Sequence, residues 1–185
     1  MSECAVAADT KVETPEGGLT IKSLAGKAVA VFTRDGDGRV RFRMMVDINK
    51  VAEQQPVLKI ALENGLSFRV APEQVLFKKG MVEARADALR VGDALVPAFH
   101  FPEGYRFRDD GSGAERDSAA SLRVTAVEPA GTADIYSFCV NKTGCFFLSA
   151  GVLGKAESHQ PSAVSNQLGE EKHGKKNGID SSADR

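Results

Sequence analysis

No part of this sequence approaches the roughly 18 consecutive apolar residues that a membrane-spanning helix needs. The opening stretch MSECAVAADT lacks the basic flank and apolar segment of a secretory signal. Charge of one sign is also missing: 24 Lys and Arg face 25 Asp and Glu, a formal net charge of -1. That balance excludes a nucleic-acid binder relying on a global positive field, because phosphate neutralisation needs clustered cations. Cysteine is scarce. Cys4, Cys139 and Cys145 are too few and odd in number for a disulfide framework. No CxxC pair occurs, and His100, His159 and His173 lack metal-ligand spacing relative to the cysteines. The expectation is a cytoplasmic monomer with no metal, no cofactor, and neither nucleic acid nor membrane as a partner.

Long helical patterns are absent too. Only Ile21–Leu24 and Glu83–Leu89 read as helical, which excludes a βαβ fold. What is present, in 185 residues that are 42% hydrophobic and 26% charged, is a series of short β-rich runs. They fall at Lys11–Thr14, Val29–Thr33, Arg39–Arg43, Val57–Leu62, Ser67–Val70 and Val75–Lys78, then at Ala94–Ala98, Arg123–Val127, Asp134–Val140 and Cys145–Ser149. Turn chemistry separates them: Pro15-Glu16-Gly17-Gly18, Asp35-Gly36-Asp37-Gly38, Glu63-Asn64-Gly65 and Glu128-Pro129-Ala130-Gly131. The pattern predicts an all-β sandwich or barrel.

Residues 1–156 form the expected domain. From Glu157 to Arg185 there is no aromatic residue and there are only five apolar ones, so this segment cannot offset its ordering entropy and reads as a disordered polar tail. Within the domain the polar loop Tyr105–Ser118 separates two strand-rich halves. Each half carries a short element in which Leu precedes a Gly turn and then an apolar strand: Ile21–Lys27 and Ala88–Asp93. This suggests a duplicated half-domain.

Several segments then occur in a telling order. Cys4 comes first, followed by Ala8–Thr14 with Gly18, Ile21 and Leu24. Next are Glu63–Leu76, containing Ala71-Pro72-Glu73-Gln74, and Ala88–Val96. Last come Ile135–Phe138 and Cys145–Leu153. The set resembles the Hint family, the self-processing domains of inteins, bacterial intein-like proteins and hedgehog C-terminal domains, over residues 4 to about 156.

The resemblance implies an all-β horseshoe of two pseudo-symmetric halves. It also implies chemistry. In active members an initial Cys or Ser attacks the preceding carbonyl in an acyl shift, and a Thr-x-x-His element activates that peptide bond, the His protonating the departing nitrogen. In splicing members a terminal His-Asn pair then lets Asn cyclise and cut downstream.

Carried over by position, Cys4 matches the nucleophile, with the Glu3 carbonyl as its target. Ala71 stands where Thr belongs and Gln74 where His belongs. Ser137 holds a position often taken by Asp, and Lys155-Ala156 replaces His-Asn. Of these positions only Cys4 keeps the family's chemistry. Scaffold residues persist: Leu89, Gly92, Asp93, Tyr136, Phe147 and Gly151.

Only Met1, Ser2 and Glu3 precede Cys4 here, which adds the expectation of no partner segment to release. The loop Tyr105–Ser118, where many inteins carry a homing endonuclease, is too short to hold one. Asp93 reads as a turn-forming carboxylate, and Cys139 and Cys145 as packed small hydrophobes.

The first expectation is a splicing-deficient, stand-alone intein-like domain with at most slow N-terminal cleavage through Cys4 and no turnover on external substrates. The alternative is a non-catalytic β-rich module that uses the scaffold for binding an unknown protein partner.

Overall fold

The structure, a computed structural model, describes residues 4–98 and 122–158 and the backbone of 106–108 and 115–117. The tail from residue 159 on and most of the Tyr105–Ser118 loop lie outside the described residues. No helix among the described residues is long and apolar enough to cross a membrane.

The first half runs from β1 (Val6–Ala7) into the hairpin β2 (Lys11–Thr14) and β3 (Gly17–Thr20). A single turn of helix, α1 (Ile21–Leu24), leads into β4 (Val29–Arg34) and the long β5 (Val40–Leu62). The second half repeats the sequence of elements. β6 (Ser67–Val70) leads to the hairpin β7 (Val75–Lys78) and β8 (Val82–Arg85). A 3₁₀ turn at Ala86–Ala88 and β9 (Ala94–Leu95) follow. After the ribbon β10 (Arg106–Arg108) and β11 (Glu115–Asp117) comes the long β12 (Leu122–Val140), then β13 (Cys145–Phe147) and β14 (Leu153–Lys155). One ten-stranded sheet, ordered β13-β14-β7-β9-β12-β1-β6-β5-β4, contains all but the β2–β3 and β10–β11 ribbons, with β8 beside β7 and β12 also pairing β5. The architecture is all-β, as the sequence predicts.

The duplication is visible bond by bond. Ile21 donates its N–H to the Thr10 carbonyl at 2.9 Å, and Ala86 donates to that of Gln74 at 2.8 Å. Lys22 bonds back to Ala8, as Asp87 does to Pro72. Gly26 reaches the Ile48 carbonyl on β5 at 3.0 Å, and Gly92 reaches Val124 on β12 at 2.8 Å. Both glycines have positive φ, 72° and 93°, a conformation that a Cβ disfavours and that lets each helical turn feed its strand. The Val6–Val70 pair of β1 and β6 lies where the halves meet.

Two sequence expectations change. Glu83–Leu89 is helical only in its 3₁₀ turn, because Val82–Arg85 pairs along β7 from Lys78 to Val75. Glu128–Gly131 is not a turn but the middle of β12, which with β5 spans what the sequence divides into separate short strands. Pro129 still pairs with Leu58, and the register then shifts before Thr132 with Gly131 at φ 71°. Pro and Gly therefore mark a bulge that bends a continuous strand.

The core lies between the halves and draws on both long strands. Fully buried Phe138 of β12 meets Phe146 of β13 edge-on, with ring centroids 4.8 Å apart at 79°. Each such ring contributes about 1.5–3 kcal/mol through burial. Gly154 of β14 lies so close to Phe146 that an added Cβ would stand 2.7 Å from the ring. This close approach seats β14 against β7, where Gly154 pairs with Leu76. The two ends of the domain thereby meet at Gln74.

Candidate functional site

Gln74 ends the loop between β6 and β7 and is fully buried. Its backbone N–H donates to the Ala71 carbonyl at 3.1 Å, closing a tight turn over Pro72 and Glu73. The side chain then joins three segments. Oε1 accepts the Ala5 N–H at 2.8 Å. Nε2 donates to the Val75 carbonyl at 2.8 Å and to the Lys155 carbonyl at 2.9 Å. One carboxamide therefore ties the first strand to the last, and both of its N–H groups are committed.

Cys4 lies one residue upstream of that contact and has no exposed surface. Burial pushes its thiol far above the ordinary cysteine range. A backbone hydrogen bond from Phe138 opposes the shift, while the nearby Glu157 and Cys139 add to it. A thiol in this setting is held protonated.

The other sequence-predicted positions gather around the same point. Ala71 is buried and donates its N–H to the Ala5 carbonyl at 3.0 Å. Ser137 follows Tyr136, the residue paired with Val6 on β1, and is itself paired with Asn49. Lys155 pairs with Cys145, and its ammonium is bonded to Glu83 at 2.9 Å. Ala156 is buried and donates to the Gly144 carbonyl at 2.9 Å. Beyond it, the Glu157 carbonyl still accepts from Val140.

Of the remaining cysteines Cys145 is packed as expected, whereas Cys139 lies outside the buried core, against the expectation. Cys145 is buried, its Sγ 3.3 Å from the Arg34 carbonyl and 3.2 Å from Thr33 Oγ1. Cys139 is half-buried, and burial together with Glu157 raises its pKa. Asp93 caps its own turn through the Arg90 N–H at 2.9 Å and pairs with Lys78 at 2.9 Å. Those two contacts hold its carboxyl below the usual carboxylate range.

A cleft of about 400 Å³ opens beside Cys4, with walls from Val51, Pro56, Ala71, Glu73 and Ile135. Glu73, which stands beside Gln74 in the sequence, lines this cleft. It matches Asp9 in an internal repeat, Val6-Ala7-Ala8-Asp9-Thr10 against Val70-Ala71-Pro72-Glu73-Gln74. Asp9 and Thr10 line a second cleft, of about 580 Å³, with Phe68 and Arg69.

The chain has the fold of the Hint and intein domains. It resembles the Ssp DnaB mini-intein variant M86 with a TM-score of 0.67 at 11% identity, covering 86% of this chain and 98% of that one. The DnaB intein from Synechocystis sp. PCC 6803 gives 0.64 at 10% identity, covering 83% and 98%. The bacterial intein-like domain from Clostridium thermocellum gives 0.62 at 18% identity, covering 82% and 98%. No protein-family profile and no curated protein matches the sequence.

Proposed function

We propose that this Hint-fold domain has lost splicing and retains at most a slow, Cys4-dependent cleavage of the peptide bond before it. In that step the Cys4 sulfur attacks the carbonyl of residue 3. The C–N bond breaks, a thioester forms and the departing nitrogen takes a proton; an added thiol or water then takes the acyl group and returns the Cys4 thiol. The thiol must first lose its proton, and a nearby acid must supply one.

The observation that carries this reading is the hydrogen bonding of Gln74. At the position where the resemblance implies a proton-donating His, its Oε1 is an acceptor facing the Ala5 N–H, and its N–H groups are given to carbonyls. A carboxamide also has no titratable proton near neutral pH. General acid–base assistance is worth about 10²–10⁴-fold, or roughly 3–5 kcal/mol of barrier. The raised pKa of buried Cys4 acts in the same direction. At the other end Lys155-Ala156 supplies no Asn to cyclise.

Two fusions test the reading. With a small protein placed before Glu3, intact mass should show the fusion persisting for many hours with thiol present, and Cys4→Ala should remove whatever cleavage occurs. With proteins fused at both ends, no ligated product should form. Rapid cleavage of the unmodified chain, or any ligated product, overturns the proposal.

A further inference from the structure

The two clefts related by the duplication differ in charge. On the cleft beside Cys4 the ionised side chain is Glu73. The second cleft, of about 580 Å³, has three cations on its walls, Lys11 of β2, Lys59 of β5 and Arg69 of β6, with Asp9 as their carboxylate. Asp9 is taken by Arg69, whose Nη1 lies 3.0 Å from Asp9 Oδ2, and the same guanidinium donates to the Ala130 carbonyl at 2.8 Å. Lys11 and Lys59 are exposed and make no ion pair among the described residues. Glu128 stands opposite Lys59 across β12 and β5 without forming a salt bridge to it. Two ammonium groups are thus left to solvent or to a ligand.

The rest of the cleft suits an extended chain. Leu66 is 49% exposed on its wall and gives it apolar surface. β6 borders it with Ser67, Phe68 and Arg69, and one edge of that strand is bare there. β5 pairs with β6 from Ser67 to Val70, whereas β1 reaches the other edge only at Val70. Thr10 Oγ1 covers the Arg69 carbonyl, so the uncovered backbone is that around Ser67. A strand edge beside apolar surface accepts an extended peptide through main-chain hydrogen bonds, and alternate side chains then decide which peptide is favoured.

We propose that the cleft bounded by Lys11, Lys59 and Leu66 docks an extended acidic peptide of a partner protein. Its carboxylates face the two lysines, and an apolar side chain between them rests on Leu66. A small anion would use the lysines and leave Leu66 and the β6 edge unused. This docking is independent of the cleavage reading, because it engages neither Cys4 nor Gln74.

The test is fluorescence anisotropy with the full chain at low ionic strength. The probes are labelled hexapeptides, one alternating Glu with Val and one alternating Lys with Val, and a labelled single-stranded oligothymidine. The Glu peptide should bind, and the other two should not. Lys11→Gln combined with Lys59→Gln should weaken binding about tenfold, and Leu66→Ser should weaken it as well. Lys22→Gln combined with Lys27→Gln makes the same charge change on α1 and should leave affinity unaltered. In the unmodified chain about 0.5 M salt should release the peptide, a check that needs no variant to fold. The proposal is overturned by absence of Glu-peptide binding up to about 1 mM, by binding indifferent to salt, or by equal losses in the two lysine pairs. Oligothymidine binding as tight as the peptide's overturns it too, by making the cleft a nucleic-acid site.

Discussion

Thr10 and Gln74 occupy the same place in the two halves, and each reaches across to the other half. Thr10 Oγ1 donates to the Arg69 carbonyl on β6. Gln74 Oε1 accepts from the Ala5 N–H beside β1. A side chain that completes the fold in one half has become, in the other, the residue that holds the strand beside Cys4. In both halves the contact bridges backbone of distant segments, which is a structural role.

That role gives the first expectation. Gln74→Leu keeps the volume but strands the Ala5 N–H and the Lys155 carbonyl in a buried setting, and each unsatisfied group costs about 1–3 kcal/mol. Urea unfolding should show a loss of roughly 2–5 kcal/mol. Thr10→Val should cost less, about 1 kcal/mol. A Gln74→Leu chain as stable as the parent would show that the carboxamide is no clasp.

Restoring chemistry should conflict with this structure. Ala71→Thr, Gln74→His, Lys155→His and Ala156→Asn together should recover some cleavage of a fused upstream protein, seen by mass. The same set should lower the melting temperature, since Gln74 loses bonds and buried Ala156 gains a polar side chain. A folded quadruple variant that stays inert would place the defect elsewhere, with the thiol environment of Cys4 the first suspect.

Thiol labelling should follow burial. Cys139, half-exposed, should react first with a neutral alkylating reagent under native conditions, while Cys4 and Cys145 should wait for unfolding. Raising the pH to about 9 should speed Cys139, while Cys4, with no exposed surface, stays unlabelled until the chain unfolds. Peptide mass mapping that finds Cys4 labelled first would contradict its burial.

Asp93 ties stability to pH. Its folded pKa is depressed below the ordinary 3.8, chiefly by the Arg90 N–H and Lys78. Its contribution is therefore complete above about pH 5 and is lost as pH falls through the depressed value. Asp93→Asn should reduce the difference in melting temperature between pH 6 and pH 3. An unchanged difference would mean other carboxylates carry the acid sensitivity.

Gly154 is expected to be intolerant for a steric reason alone. Gly154→Ala sets a methyl 2.7 Å from the Phe146 ring, and β14 must retreat from β7 or the ring must move. A loss of about 1–3 kcal/mol is expected, together with weakening of the Gln74–Lys155 bond. Unfolding by urea measures the first. Faster exchange of the Gln74 side-chain N–H reports the second.

The sequence by itself determined the class of fold and the chemistry available to it. Alternating runs such as Lys11–Thr14 and Ser67–Val70 face a core on one side in any tertiary setting, so their periodicity is local information. The Gly26 and Gly92 turns, and the identities Ala71, Gln74, Lys155 and Ala156, were legible for the same reason: a residue type limits which protons and conformations exist. Tertiary structure decided what no local pattern encodes. Glu128–Gly131 carries every mark of a turn, and only its pairing with β5 makes it a bulge within one long strand. Gln74 reads as the loss of an acid, and only the approach of Ala5 and Lys155 makes it a clasp, since its three partners come from both ends of the chain and its own neighbour.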